Sequence, residues 1–417
     1  MKLRNNLLCI LDGMCHPPRT GGDQAVFNAL KLLQYHIELH LIVVGFNHEN
    51  LKIEELKRDL NQTKITFYNI RLKNKYEVVN AIFDKARKTF MKFVGQNQNL
   101  TAREGILGVN LERYADLFDF INSYIISNHI QIVQFEFARA LYWGQAIYTP
   151  VKKVFVQHEI QYIVKKQRFH ERQLSSLEKI RYQIERTSEL AAMNTYDAII
   201  TLSEDDKEKL LRDGVYTNIY PSFAKVQYRK GCVSSFENTD SIDLVFVGPE
   251  SHEPNRQGLS WFMNNVWLRV HTSFNNISLH IVGKWSEETR GKWIKEYSNV
   301  IFEGFVDDLS EMLRDKILIV PIFEGSGIRM KILEAANTGT PFVGTSIGAE
   351  GLGFESHKNC IIANNEADFF EAISSLLTSR DQLLNISSKA YEHASIDFSD
   401  ERFIETRMTV YRSLSRN

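Results

Sequence analysis

Short apolar runs alternate with amphipathic helical stretches, and the alternation runs through the chain twice. In the first half the apolar runs are Leu7–Leu11, Leu39–Val44, Ile65–Tyr68, Ile130–Phe135, Val154–Val156 and Ala198–Thr201. Helical patterns such as Gln24–Tyr35 and Asp205–Arg212 lie between them. The second half repeats the rhythm with strands at Ile242–Val247, Leu279–Val282, Val300–Phe302, Ile317–Val320 and Pro341–Gly344, and with helices at Gly258–Val270 and Ile328–Asn337. Strands that alternate with helices build parallel βαβ units. The runs are apolar throughout rather than at every second position, which fits sheets covered on both faces. The expected class is therefore α/β, with two Rossmann-like, doubly wound parallel-sheet domains facing across a cleft.

The first domain is expected over 1–230 and the second over 231–399, joined by the polar stretch Tyr220–Thr239 with its proline, glycine and serines. The last stretch, 400–417, reads as a helix that follows the completed second sheet and crosses back to the first domain. In such sheets ligands sit beyond the carboxyl ends of the strands. The residues just after each strand are thus the ones to read for chemistry.

Composition narrows the class of partner. Hydrophobic residues at 43% and charged residues at 24% belong to an ordinary globular chain, and 417 residues suit two or three domains. Lys+Arg at 50 against Asp+Glu at 51 leaves a formal net charge of -1, which argues against a dedicated nucleic-acid binder. Cys9, Cys15, Cys232 and Cys360 form no CxxC pair, so neither a zinc site nor a disulfide framework is expected. The run Leu7–Leu11 stops at Asp12 with no small-residue cleavage site, and reads as a buried strand rather than a signal peptide. No apolar stretch reaches the ~20 residues that a membrane span needs. The expectation is a cytoplasmic protein. Residues 71–92, basic with aromatic residues at helical spacing, are the candidate for peripheral contact with the inner face of a membrane; a packed surface helix would read the same.

The segment from Pro321 to Ala335, PIFEGSGIRMKILEA, carries the most chemistry. A strand ends, a glycine loop follows and a helix is expected from Ile328. Backbone N–H groups at a helix N-terminus favour an anion, and Gly325 and Gly327 let a ligand approach the backbone. Arg329 and Lys331 add two cations in the first turn, where they oppose the helix dipole unless an anion such as a diphosphate offsets them. Glu334 follows seven residues after Gly327 (334 − 327), placed to accept hydrogen bonds from ribose hydroxyls. An ordinary glycine turn with a solvated basic face would show the same residues.

GSGIRMKILEA, followed by GTPFVGTSIGAEGL, resembles the donor-binding signature of family-4 retaining glycosyltransferases with the GT-B fold. Upstream, Val247-Gly248, the stretch His252 to Asn255 and Trp261-Phe262 resemble the first strand and helix of that family's donor domain, and LHIVGKW and VIFEGFVDDL resemble its next strands. HPPRTGGDQAVFNAL, VFVQHEI and YDAIITLSEDD match the N-terminal half more loosely. The chain departs from the pattern at one point. The family has two glutamates eight positions apart, and 334 − 8 = 326 is Ser326 here. The basic pair expected after the first donor strand is also missing, since Gly248 is followed by Pro249. The combination is similar to a subgroup with a GSG-x-R-x-K loop.

The resemblance implies a sugar transfer from a nucleotide-diphosphate sugar, UDP-sugar favoured, to a saccharide, lipid-linked or protein acceptor, with retention and no metal or other cofactor. It implies catalytic parts for Arg329, Lys331, His158 and, in place of the missing glutamate, Glu324 or Ser326. The donor would be held by Gly21, Gly22, Gly248, Asn255, Gly325, Gly327, Ile328 and Glu334, with backbone at Phe305 and Val306 on the nucleobase. Glu136, Glu159, Thr345 and Glu350 would line the acceptor and sugar pocket, although a solvated loop acid would read the same at Glu350. A sugar-nucleotide epimerase and a catalytically silent, partner-binding subunit fit the same fold.

Overall fold

A computed structural model gives the structure of residues 3–45, 50–70, 111–169, 174–226, 233–237 and 241–415. The candidate membrane segment 71–92 lies outside these described residues, as does Cys232. The first sheet has seven strands: β1 Leu3–Asp12, β2 Ile37–Gly45, β3 Thr63–Asn69, β4 Ile132–Glu136, β5 Lys152–Gln157, β6 Ala198–Thr201 and β7 Asn218–Pro221. Their spatial order is β3-β2-β1-β4-β5-β6-β7. The second sheet has β8 Leu244–Val247, β9 Leu279–Val282, β10 Val300–Gly304, β11 Ile317–Val320, β12 Phe342–Gly344 and β13 Ile361–Ile362. Its order is β10-β9-β8-β11-β12-β13. Every strand pair is parallel. In each sheet the strand order reverses beside its first strand, the place where doubly wound folds open a crevice.

Burial explains why the strands are apolar throughout. Along β1, Leu7, Cys9 and Leu11 enter one core while Leu8 and Ile10 enter another on the opposite face. Along β11, Leu318 and Val320 face one way, and Ile317 and Ile319 the other. Helices cover both faces, so neither can be polar.

Three expectations change. Tyr220 and Pro221 belong to β7 rather than to a linker, and residues 233–237 pack on the second domain through the fully buried ring of Phe236. The helix after β8 starts at Glu253, not Gly258, because Pro254 fits a first helical turn. It runs to Phe262 and continues through a π-turn at Met263–Trp267 into Leu268–Ser273. The helix after the glycine loop starts at Met330, not Ile328, with Arg329 as its extended N-cap residue.

The closing helix Asp400–Ser415 packs onto the first domain. Lys225 pairs with Asp400 at 2.7 Å, Ser222 bonds Thr406 at 2.9 Å, and Tyr411 donates to Gln134 of β4 at 2.6 Å. No helix among the described residues is long and apolar enough to cross a membrane.

Candidate functional site

A cavity of about 820 Å³ lies between the carboxyl ends of the two sheets. On the first-domain side, the helix Gly21–Leu33 begins in a capping box in which Thr20 and Asp23 satisfy each other's backbone N–H groups. Gly21 and Gly22 line the cavity, but what they admit is protein. A Cβ at Gly21 would meet Met330 across the cleft at 3.0 Å, and one at Gly22 would meet the Phe137 ring at 2.9 Å. Gln24, one turn on, bonds the Glu334 carboxylate of the second domain.

His158 follows β5 and also lines the cavity. Its ring stacks on Phe137 at 4.3 Å, and its Nε2 bonds the Glu136 carboxylate at 2.7 Å. Glu136 is itself almost fully buried at the end of β4 and supports His158 from behind instead of lining the cavity. Glu159 does line it, and accepts from Gln161 at 2.9 Å.

On the second-domain side, Gly248 directly follows β8 with φ 150°, and a Cβ there would fall 2.3 Å from the Asn255 amide. Glycine is what lets Asn255 fold over the strand end. Asn255 Oδ1 then accepts from Lys331 Nζ at 2.9 Å. Lys331 is the second residue of its helix, with its ammonium 4.9 Å from the Phe246 ring centroid. Phe305, largely exposed, and Val306 stand at the mouth of the cavity after Gly304, and Ile328 and Glu334 complete its floor.

Lys331 and Glu334 are only half-buried because the cavity reaches them, yet protein surrounds them on every other side. Burial lowers Lys331 to about 7, helped by repulsion from Arg329 and opposed by Glu334. Burial raises Glu334 to about 7, against the Gln24 hydrogen bond and the attraction of Lys331. An anionic ligand beside this pair would favour the ammonium form of Lys331.

Several expected residues do other work. The Arg329 guanidinium turns back on its own loop and donates to the Ser326 carbonyl at 3.0 Å and the Gly327 carbonyl at 2.7 Å. Its Nε, also buried in the cavity wall, has no partner among the described residues. Ser326 Oγ is engaged by the first domain: it accepts from Ile160 N–H at 2.9 Å and donates to Ile160 C=O at 3.4 Å. It therefore has little capacity left for a sugar. The Glu324 side chain is not in the cavity lining; its carbonyl accepts from Arg329. Thr345 is a buried strut that donates to the Ile322 carbonyl and accepts from Gly348 N–H at 2.9 Å. Glu350 pairs with Lys209 of the first domain at 2.9 Å. Neither Thr345 nor Glu350 lines this cavity.

The glycine loop is clasped by the first domain. Gln167 accepts from Gly325 N–H at 2.8 Å and donates to its carbonyl at 3.2 Å. Gly327, at φ 80°, leaves no room for a Cβ, which would sit 2.2 Å from the His158 carbonyl. Gln24, Phe137, Ile160, Gln167 and Lys209 escaped the sequence reading. Only Gln24 carried a local signal, lying one turn after the Gly21-Gly22 pair.

Residues 241–379 match the family described as Glycosyl transferases group 1. Over its whole length the chain is similar in structure to HepE of Anabaena, solved in complex with UDP. There the TM-score is 0.68 at 12% identity, covering 99% of this chain and 100% of that one. The fold is GT-B. Sucrose-phosphate synthase from Thermosynechococcus elongatus is similar at TM-score 0.71 and 13% identity, covering 99% of this chain and 100% of that one. In sequence, an uncharacterized 44.6 kDa protein in the cps region of Klebsiella pneumoniae is 28% identical over 189 residues. That match covers 43% of this chain and 47% of the relative, so the chain spans about half the length of the curated relative it matches.

Proposed function

We propose that the protein is a glycosyltransferase that moves a sugar from a nucleotide-diphosphate sugar to a saccharide, lipid-linked or protein acceptor. One observation carries the reading. Lys331, the start of the helix Met330–Asn337 and His158 converge on one cavity from opposite domains, between the carboxyl ends of two parallel sheets. The group 1 match supports the second domain as the donor side. The UDP bound by HepE supports a UDP-sugar, and the cps-region relative supports a polysaccharide acceptor.

The chemistry follows from where charge develops. Breaking the sugar–phosphate bond leaves negative charge on the diphosphate. The Lys331 ammonium and the free N–H groups of the helix start meet that charge, and a preorganised donor works best in a site that excludes water. Arg329 holds the carbonyls of Ser326 and Gly327 turned away from the anion. Glu334, fixed by Gln24, accepts from the ribose. His158 faces the sugar from the acceptor side. Retention of configuration is proposed on the resemblance to the retaining family. The cations come from the protein, so we propose that no metal takes part.

The test is a screen of UDP-, GDP- and TDP-sugars for nucleotide release by wild type and Lys331→Ala. One donor should turn over, and the variant should lose roughly 10²–10³ of the rate, as when a single oxyanion donor is removed. Equal turnover by both proteins would sink the phosphate assignment. Activity should also survive EDTA; loss that Mg²⁺ or Mn²⁺ restores would refute metal independence.

A further inference from the structure

Behind His158 lies a chain of buried polar groups that ends on the closing helix. One Glu136 carboxylate oxygen lies 2.7 Å from His158 Nε2, and the other accepts from Gln134 Nε2 at 2.6 Å. The Gln134 carbonyl accepts from the Tyr411 hydroxyl at 2.6 Å. Tyr411 is bonded in turn by Arg407, one turn earlier on the same helix. Gln134, Glu136, Arg407 and Tyr411 are each less than 5% exposed. Residues 134 and 411 are 277 positions apart. Nothing local requires them to meet.

The direction of each bond is fixed by chemistry. Arginine can only donate, and burial holds the Tyr411 hydroxyl in its protonated form, so Tyr411 donates onward to Gln134. That settles the Gln134 amide: oxygen toward Tyr411, nitrogen toward Glu136. Glu136 thus accepts on one oxygen, and a carboxylate has no proton to donate from the other, so the proton between it and His158 sits on Nε2. Nδ1, with no protein partner among the described residues, is then the nitrogen left for a ligand in the cavity. A buried polar chain is costly where a member goes unsatisfied; from the Tyr411 hydroxyl to His158 Nε2 each group has a partner, whereas Nε and one terminal nitrogen of Arg407 have none among the described residues.

We propose that Gln134 and Tyr411 are positioning residues which, through Glu136, hold His158 as its Nε2–H tautomer with Nδ1 turned to the substrate. The closing helix, which follows the second domain in sequence and packs on the first, thereby sets the working geometry of His158. The part played in turnover rests on the transferase reading above; the tautomer does not.

The test uses the full chain labelled with ¹⁵N-histidine, with His158→Gln to assign the signal. Wild type should show a single Nε2–H form at His158. Tyr411→Phe keeps the ring and its packing but removes the donor. It should mix the tautomers and lower kcat roughly three- to tenfold, the worth of one net hydrogen bond, with donor KM nearly unchanged. Gln134→Leu, which strips Glu136 of a donor to its charge, should lower kcat roughly ten- to a hundredfold. If that variant does not fold, Tyr411→Phe decides alone. A wild-type His158 spectrum in Tyr411→Phe overturns the proposal, even if turnover falls, because the loss then travels by another route. A changed spectrum in a protein whose wild type turns over no donor supports the network and refutes the transferase reading instead.

Discussion

Lys331 and Glu334 stand three positions apart, on one face of the helix that forms the cavity floor. With both near 7, the charges of this pair cancel only around pH 7. A nucleoside diphosphate changes that balance, since its charge favours the ammonium form of Lys331. At pH 8 Glu334 is already ionised in large part while Lys331 is mostly neutral. Binding at pH 8 should therefore take up most of a proton, and the uptake should shrink toward pH 6, where Lys331 is charged beforehand. Calorimetric titrations with nucleoside diphosphate in two buffers of different ionisation enthalpy would measure it. Lys331→Met should abolish the uptake; if it persists in that variant, the proton goes elsewhere. That Lys331 would face the cavity was legible, because a cation beside a glycine loop at a helix start has few structural reasons to be there. The duties of Ser326, Glu324 and Arg329 were not legible. All three depend on how the loop folds back and on what the other domain presents to it, and a single sequence shows neither.

Two glycines inside helices show how far an element's own preferences decide its stability. Gly258 lies within Glu253–Phe262, and Gly291 within Glu287–Glu296. Helix propensity alone says that alanine at either position stabilises by about 0.5–1 kcal/mol. Packing separates them. A Cβ at Gly258 would lie 2.0 Å from the Pro321 carbonyl, a backbone atom at the start of the glycine loop, whereas nothing lies within 4 Å of one at Gly291. Gly291→Ala should gain about 0.5–1 kcal/mol, and Gly258→Ala should lose about 1–3 kcal/mol by overpacking, both read from denaturant midpoints. Stabilisation by both would show that the Gly258 helix can slide away from Pro321. The same contrast explains which elements could be read. The long apolar strands were legible because both faces are buried. β7 was missed because Pro221 and its exposed or half-buried neighbours give an edge strand no apolar run, and β13 because two residues carry no period. The helix start at Met330 was read two residues early because Arg329 takes an extended conformation that Gly327 and the carbonyls it holds impose.

At the scale of the whole molecule, the domains are in contact through a few specific groups. Gly325 and Ser326 are held by Gln167 and Ile160, Glu350 by Lys209, and a Cβ at Gly351 would press on Ser203 at 2.8 Å. Ser326 and Ile160 are 166 positions apart, so the architecture was readable from the rhythm of the chain while these pairings were not. Among the glycines at this junction, Gly327 leaves the least room, its Cβ falling 2.2 Å from the His158 carbonyl. In the proposed reading His158 bears on the sugar and Gly327 belongs to the donor loop, so this contact is the one expected to set the distance between the two halves of the site. Gly327→Ala should hold the domains apart. Turnover should then fall by roughly 10²-fold, the scale at which a displacement of about 1 Å costs a positioned reaction. Affinity for free nucleoside diphosphate, gathered mainly by the second domain, should change little. Small-angle scattering with nucleotide bound should give the variant a larger radius of gyration than wild type. Left-handed strain is a competing cause, since Gly327 has φ 80°. Gly214→Ala controls for it: Gly214 also has positive φ, at 99°, but a Cβ there meets nothing within 4 Å. That control should keep both turnover and dimensions. If Gly327→Ala closes to wild-type dimensions, or if the control loses as much activity, the contact is not what sets the gap.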